Sequence, residues 1–152
     1  PIPRTQRRST MNISAKTEYA CIAVLELAAR HGGEPVRIGA IAERHGIPKR
    51  FLVQILLQLK GAGLVASTRG ASGGYQLLKP PEEISLAEVM QVIEGPAEEA
   101  GKSSAAGATS VTRALWNTWN AASQQQWELL SGTTFADLLE NIDEQSENMY
   151  YI

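Results

Sequence analysis

Cysteine is nearly missing from this sequence: of 152 residues only Cys21 carries a thiol, so no disulfide can form within the chain. Long apolar runs are missing too, since no stretch approaches the roughly 20 residues that cross a bilayer. The first ten residues, PIPRTQRRST, carry positive charge with no apolar stretch behind them and so do not resemble a secretory signal. We expect a cytoplasmic protein with no membrane partner.

Catalytic and metal-binding patterns are also scarce. No Ser/His/Asp, Cys/His or paired-carboxylate arrangement stands out. The two histidines, His31 and His45, fall at predicted helix ends, where we expect them to cap helices or face solvent. The glycines match neither the Rossmann nor the Walker spacing of nucleotide-binding loops. The sequence thus predicts no enzyme, no catalytic residue and no metal site.

Each half of the chain has few residues of one sign of charge. Residues 1–81 contain 12 lysines and arginines but only 4 aspartates and glutamates, a net charge of +8. Residues 82–152 contain 2 basic and 12 acidic residues, a net charge of −10. A basic half attracts phosphates, whereas an acidic half stays away from them. The overall charge of −2 therefore hides a first half suited to nucleic acid.

What the chain does contain is an order of helices and strands between Arg37 and Leu78. Apolar periodicity, together with the positions of glycine and proline, predicts two helices and then two strands around a glycine-rich tip, over 38–45, 48–60, 64–68 and 74–78. This order is that of a helix-turn-helix followed by a wing, an architecture that holds duplex DNA.

The remaining segments predict further helices. Ser14 is a suitable N-cap for a first helix, and Ser85 and Glu88 have the spacing of a capping box at the start of another. The fold class is mainly α, a winged helix-turn-helix with a small two-stranded wing plus a long C-terminal dimerisation helix. The predicted segments are a disordered arm or cloning remnant (1–10), the winged helix-turn-helix domain (11–82), a helix and flexible loop (83–109), and the dimerisation helix with a C-terminal helix (110–148).

The second helix of the pair divides into two faces at about 100° per residue. The apolar face should pack in the core and comprises Phe51, Leu52, Ile55, Leu56 and Leu59. The polar and basic face comprises Lys49, Arg50, Gln54, Gln58 and Lys60. Arginine and lysine donate to guanine, and glutamine bonds adenine, so we expect Lys49, Arg50 and Gln54 to read bases in the major groove. Val53 and Leu57 lie among the polar residues and either meet thymine methyl groups or pack against a neighbouring element.

The predicted hairpin tip reads TRGASGGY (68–75). Glycines suit positions where φ is positive or where another backbone approaches closely. Arg69 at such a tip is placed to enter a minor groove or to bind phosphate, since narrow minor grooves concentrate negative potential.

Five segments carry a family resemblance: ISAKTEYA (13–20), IAERHGIP (41–48), FLVQILLQL (51–59), GLVASTRGASGGY (63–75) and RALW (113–116). Together they resemble the Rrf-two family of bacterial transcription regulators over about residues 11–141. The resemblance implies a winged helix with a long helix that pairs across the two-fold axis of a dimer. It also implies contacts to double-stranded DNA at Arg50, Gln54 and Lys60 of the recognition helix, Arg69 and Gly70 of the wing, and Ser14, Lys16 and Thr17 of the first helix. Val53 stands where cluster-binding members carry an acidic residue, so their operator sequence does not transfer.

Family members that bind an iron–sulfur cluster place three cysteines, spaced C-x5-C-x5-C, in the segment that corresponds to residues 95–110, with a further ligand three residues on. Counted back from RALW, those positions fall on Glu98, Ser104, Ser110 and Arg113. Thiolates hold such clusters, whereas serine rarely ligates iron and arginine cannot. Cys21 lies among apolar residues, and we expect it to be a small buried hydrophobe. The expectation is a family member with no cluster and no other cofactor.

The predicted long helix concentrates tryptophan. Three tryptophans fall within twelve residues, more than one side of a single helix usually buries, and tryptophan is enriched at protein interfaces. We expect this helix to pair with its mate in a homodimer, the alternative being burial in its own domain. The expected interface residues are Val111, Leu115, Trp116, Trp119, Ala122, Trp127 and Leu130.

The sequence therefore predicts a homodimeric, sequence-specific transcription regulator that represses from a pseudo-palindromic DNA operator. Its signal is expected to arrive through a partner protein or through a small-molecule effector near residues 95–110, and both remain open. The rival hypothesis is a winged-helix module that binds protein without reading DNA.

Overall fold

A computed structural model describes residues 12–95 and 108–150, with side chains described as far as Ile142. The elements in order are α1 (Ala15–Ala29), α2 (Ile38–His45), α3 (Lys49–Gly61), β1 (Val65–Thr68), β2 (Gly74–Leu77), a 3-10 turn (Pro81–Glu83), α4 (Leu86–Glu94), α5 (Ser110–Gly132) and α6 (Phe135–Tyr150). The predicted fold class is confirmed, while the predicted arm (1–10) and most of the predicted loop lie outside the described residues. No described helix combines the length and the apolar character needed to cross a membrane.

Hydroxyl caps start two helices where the sequence predicts them. Ser14 Oγ accepts the backbone N–H of Thr17 at 3.1 Å at the start of α1, and Ser85 Oγ accepts that of Glu88 at 3.1 Å at the start of α4. Glu88 does not complete the predicted capping box, because its carboxylate instead accepts a hydrogen bond from Lys79 Nζ at 2.7 Å. The second cap is therefore a single bond backed by an ion pair.

The turn between α2 and α3 sets the geometry of the helix-turn-helix. α2 ends at Gly46, whose φ of 64° lies in the left-handed region that glycine adopts without strain. Ile47 is buried and ties the turn to the core, and Pro48 precedes the first residue of α3. Both helices begin and end within a residue or so of the limits that the sequence predicts.

The wing is an antiparallel hairpin that is also bound to the chain before α2. Thr68 pairs with Gly74 at the tip end of the two strands. Val36 and Tyr75 exchange backbone hydrogen bonds of 2.9 and 2.8 Å, so Val36 forms a one-residue antiparallel bridge to β2. A Cβ atom at Gly74 would lie 2.6 Å from the carbonyl oxygen of Val36, so a larger residue would push the wing away from this bridge.

One apolar core joins the helix-turn-helix to the later helices. α1 packs against α3, α4 and α6, and Leu27, Leu52 and Ile55 are fully buried among them. Phe135, the first residue of α6, is fully buried as well, and its N–H donates to the carbonyl oxygen of Ile84 at 3.0 Å. The start of α6 is thereby fixed to the segment just before α4.

α5 differs from the other helices because none of its residues is buried. It begins with a capping box that the sequence did not predict, in which Thr109 and Thr112 each bind the other's backbone N–H. Among the other elements it packs chiefly on α4. The alternative in which this helix is buried in its own domain is therefore wrong.

One predicted core residue lies at the surface. Phe51 is 37% exposed, whereas the other four residues of the predicted apolar face of α3 are fully buried. At about 100° per residue Phe51 stands at the edge of the apolar arc, so its ring reaches past the core. It lies beside Tyr19 of α1, with 6.0 Å between the ring centroids.

Candidate nucleic-acid interface

The outward face of α3 is the first part of the candidate site. Lys49, Arg50 and Gln54 are exposed there, opposite the buried leucines and isoleucine that fill the core. α3 contains no acidic residue. Val53 and Leu57 are also exposed on this face, 38% and 57% respectively. The helix thus presents cations, an amide and two apolar side chains to whatever it contacts.

Phe51 has a role that the sequence did not indicate. The guanidinium carbon of Arg50 lies 5.0 Å from the centroid of the Phe51 ring, within the range of a cation–π contact. Because the ring is itself supported by Tyr19, it limits the directions that the Arg50 side chain takes. Phe51 is therefore a platform for Arg50 rather than a core residue.

Lys60 joins the end of α3 to the wing. Its Nζ donates to Ser67 Oγ of β1 at 2.7 Å. The bond is to a neutral hydroxyl, so the ammonium keeps its full charge and two further donors. Gln58, predicted on the polar face, is half-buried, and its buried Oε1 has no partner among the described residues. Gln58 is consequently less available to a base than Gln54.

Arg69 stands exposed at the tip of the wing. Gly70 follows it with φ of 106°, and the tip is closed by a hydrogen bond of 3.0 Å from Gly73 N–H to the Gly70 carbonyl. A Cβ atom at Gly73 would overlap the carbonyl oxygen of Thr68. The tight tip holds Arg69 outward at the end of a short, braced hairpin.

The N-terminus of α1 keeps two of its three predicted contact residues at or near the surface. Ser14 is exposed and Lys16 is half-exposed. Thr17 is fully buried, and its hydroxyl donates to Glu94 Oε1 at 2.8 Å, while its backbone N–H is held by Ser14. Its predicted contact with phosphate is corrected accordingly: Thr17 positions the helix end from inside.

Arg37 is a candidate that the sequence reasoning missed. It is exposed and precedes α2 directly, and no side chain caps the N-terminus of that helix. Free backbone N–H groups at a helix N-terminus favour anions, and an adjacent arginine adds charge. The first helix of a helix-turn-helix crosses the DNA backbone, so its basic N-cap residue was the available signal.

The cations of these surfaces are not neutralised within the described part of the chain. The ion pairs of that part use other residues: Glu26 binds Arg44 at 3.5 Å, and Lys79 binds Glu88 at 2.7 Å. His45 is exposed, as expected, and its ring also forms a hydrogen bond of 2.7 Å with the Glu26 carboxylate. Among the described residues, no carboxylate lies within ion-pairing distance of Lys49, Arg50 or Arg69, so these cations are available to phosphate.

The predicted dimer residues of α5 separate into two arcs. Trp116 and Leu130 are half-buried, with Thr112 on the same arc at about 100° per residue, so this arc is the side turned toward α4. The second arc is exposed and comprises Val111, Leu115, Trp119, Ala122 and Leu129. The remaining predicted residue, Trp127, is 42% exposed and lies beyond the other edge of the first arc. Leu129 was missed by the sequence reasoning although it is 70% exposed.

Tryptophan–tryptophan contact links the two arcs. The rings of Trp116 and Trp119 meet edge to face, with 5.0 Å between centroids. Trp119 is 49% exposed even so, because the chain offers it no further cover among the described residues. An exposed apolar stripe on a helix with no buried residue is typical of interaction surfaces, which makes this stripe a candidate for one.

Comparison with known proteins identifies relatives along nearly the whole chain. The family model Rrf2, iron-dependent transcriptional regulator, matches residues 13–141. An HTH-type transcriptional regulator of Mycobacterium tuberculosis is 39% identical over 133 residues, which cover 84% of this chain and 81% of that protein. The HTH-type regulator CymR of Bacillus subtilis is 35% identical over 151 residues, covering 93% of this chain and all of CymR.

Solved structures agree with these sequence relatives. The structure of CymR, the global cysteine regulator of Bacillus subtilis, gives a TM-score of 0.72 at 32% identity and covers 87% of this chain and 98% of that one. T. potens IscR gives a TM-score of 0.72 at 32% identity, with 89% and 90% covered. The likeness therefore runs through the helix-turn-helix, the wing and α5.

The residues present do not fit an iron–sulfur cluster. Such clusters need several thiolates, and the single cysteine, Cys21, lies in α1. Burial raises the pKa of the Cys21 thiol to about 11, and the Glu94 carboxylate adds to the rise. Ser110 and Arg113, which stand at two ligand positions implied by the resemblance, are a hydroxyl and a cation. The described residues contain no group of three or more histidine, cysteine, aspartate or glutamate side chains suited to a metal ion.

Proposed function

This chain belongs to the Rrf2 family of transcriptional regulators, and we propose that it acts as a homodimeric, sequence-specific repressor on a pseudo-palindromic DNA operator. The observation that carries the proposal is the outward face of α3, with its unneutralised cations beside the braced wing. Enzymatic chemistry forms no part of the proposal, as the relatives are transcription regulators.

In the proposed complex, α3 enters the major groove. Lys49 and Arg50 stand in its first turn, where residues of a recognition helix reach furthest toward bases, and Gln54 follows one turn later. Arg50 donates two hydrogen bonds to guanine, and Gln54 pairs with adenine. Phe51 holds Arg50 in place before binding, so less side-chain freedom is lost when the complex forms.

Contacts to phosphates orient the recognition helix α3 on the DNA. Arg69 and the Gly70 backbone approach the minor groove or its phosphates from the wing tip. Ser14 and Lys16 at α1 and Arg37 at α2 bind the flanking phosphates, and Lys60 does so from the far end of α3. The net charge of +8 in residues 1–81 draws this half toward DNA, and the acidic half of the chain is held off.

The dimer forms through the exposed arc of α5. A helix of 23 residues is about 34 Å long, enough to bury a continuous stripe against a second copy. Two-fold pairing places the same stripe on both sides of the interface. It also sets two recognition helices about one turn of DNA apart, about 34 Å, which matches a pseudo-palindrome.

The proposed regulator works without an iron–sulfur cluster. The support is the donor set: one half-buried thiol in α1 with a raised pKa, and serine and arginine where relatives that bind clusters have ligands. Anaerobic reconstitution with iron and sulfide followed by absorption spectroscopy tests this point. A stable brown protein with visible absorption overturns it, and a colourless protein that still binds its operator supports it.

The test of the function is selection of bound fragments from genomic DNA, followed by measurement of affinity for the recovered sites. Recovery of a pseudo-palindrome, bound far more tightly than scrambled duplex, supports the proposal. A reporter gene behind that site should be repressed when the protein is expressed. Failure to bind any duplex, together with capture of a protein through α3, would instead favour a protein-binding module.

A further inference from the structure

Val53 and Leu57 form an apolar pair at the centre of the outward face of α3. They are four residues apart and so lie one above the other on the helix. Val53 is 38% exposed and Leu57 is 57% exposed. Apolar side chains on the outward face of a basic helix contribute to function only if a binding partner covers them.

The part of the chain that the structure describes does not provide that partner. The core side of α3 is filled by fully buried residues, Leu52, Ile55, Leu56 and Leu59, which leaves no internal use for the pair. The exposed fractions are values for the folded chain, so packing against the described elements, one of the two alternatives left open by the sequence, leaves 38% of Val53 and 57% of Leu57 uncovered.

The surroundings of the pair point to DNA rather than to a protein groove. Lys49 precedes Val53 by four residues and Lys60 follows Leu57 by three, so each apolar residue has a lysine on its own side of the helix. An apolar groove of a protein would strip water from these ammonium groups without pairing them. A major groove can both cover the apolar pair and pair the ammonium groups, because thymine methyl groups lie within it and phosphates line its edges.

We propose that Val53 and Leu57 read the C5 methyl groups of thymines in the operator. The inference rests on the proposed DNA-binding function and adds the bases that specify it. Residues four apart are about 6 Å apart along the helix axis, and base pairs rise about 3.4 Å. Each half-site therefore carries two thymine methyls, one to two base steps apart, beside the base pair that Arg50 contacts.

The experiment replaces thymine by deoxyuridine, which pairs identically but lacks the methyl group. An operator is first selected from random duplex DNA. Each thymine of the major-groove segment is then replaced singly, and Kd is measured by fluorescence anisotropy at fixed salt. We expect about a fourfold weakening for each methyl that is buried against an aliphatic side chain, and no change for thymines outside the contact.

Variants assign the methyls to residues. Leu57→Ala should weaken binding to the thymine operator and should make binding insensitive to uridine at one position; Val53→Ala should do so at the other. Both positions are exposed in a helix where alanine is well tolerated, so folding is preserved. Leu78→Ala is the matched control, because Leu78 is also 57% exposed but lies at the base of the wing.

The outcomes separate the two proposals. If thymine and uridine operators bind equally at every position, the methyl contact is wrong while DNA recognition stands. If Leu57→Ala weakens both operators equally, Leu57 packs in the groove without reading a methyl, and the inference fails for that residue. Absence of binding to any selected duplex overturns the proposed function, and with it the inference.

Discussion

The hydroxyl of Thr17 donates a hydrogen bond of 2.8 Å to Glu94 Oε1, across 77 residues of sequence. Thr17 lies in the first turn of α1, where its hydroxyl also accepts from Ser14 Oγ at 3.0 Å. Glu94 is the last residue of α4. One chain of hydrogen bonds thus connects the end of α4 to Ser14, a proposed phosphate contact, and fixes the N-terminus of α1 from within.

Thr17→Val should lower stability because valine keeps the shape of threonine but cannot donate to Glu94. The expected loss of unfolding free energy is about 1 kcal/mol, measured by urea denaturation. A double-mutant cycle with Glu94→Ala isolates the pair, and coupling of at least about 0.5 kcal/mol is expected. Additive single-variant losses would mean that the hydroxyl acts only on Ser14 and not on Glu94.

Phe51→Ala should weaken operator binding even though the ring contacts no DNA in the proposed complex. Loss of an exposed cation–π contact is worth about 0.5–1 kcal/mol per protomer, so the dimer should lose about 1–2 kcal/mol, roughly a five- to thirtyfold rise in Kd. Phe51→Leu retains apolar contact with Tyr19 but removes the π face, so it should show most of the same loss. Normal affinity in Phe51→Leu would indicate that packing, and not the Arg50 contact, matters.

Phe51 and Thr17 also mark where sequence reasoning reaches its limit. Helix caps and apolar periodicity are local, so Ser14, Gly46 and Ser85 place the helix ends well. Phe51 sits at the edge of a helical arc, where a small angle decides between core and surface. The burial of Thr17 depends on α4, far along the chain. The resemblance to the family assigned a phosphate contact to the position of Thr17, but it carried no information on how Thr17 packs against α4.

The two arcs of α5 illustrate the same limit. Periodicity predicts that the helix is amphipathic, yet it does not say which apolar strip faces α4 and which faces outward. Trp116 and Leu130 were predicted beside Trp119, and the fold turns them toward their own chain. Leu129 was omitted and is among the most exposed apolar residues. Such an assignment needs the position of the neighbouring helix.

Arg69→Ala should reduce the salt dependence of DNA binding as well as the affinity. Each phosphate contact contributes about 0.9 to the slope of log K against log salt concentration, so loss from both protomers should lower the slope by about two. Lys79→Ala serves as the control, because Lys79 is already paired with Glu88. An unchanged slope in Arg69→Ala would remove the wing tip from the phosphate contacts.

Cys21 should make stability fall at alkaline pH. Its folded pKa is raised from 9.0 to about 11, mainly by burial, so the folded state keeps the thiol protonated after the unfolded chain has lost the proton. The stabilisation from the half-buried thiol is complete below pH 9 and is lost as pH rises through 11. Urea denaturation across this range should show wild type losing stability faster than Cys21→Ala. Parallel curves would mean that the thiol is as free to ionise in the folded state as in the unfolded one.

Trp119→Glu should convert the dimer to a monomer. Trp119 stands in the middle of the exposed arc of α5, and a carboxylate there would be buried against its own copy in a two-fold interface, at a cost of several kcal/mol. Asn120→Glu adds the same charge one residue away on an exposed face and should stay dimeric. Sedimentation velocity gives the mass of each variant, and anisotropy gives its affinity for a full operator. Because two linked half-sites bind far more tightly than one, the monomer should lose at least about a hundredfold in affinity. A wild-type protein that sediments as a monomer, or a Trp119→Glu dimer, would assign the exposed arc to another partner.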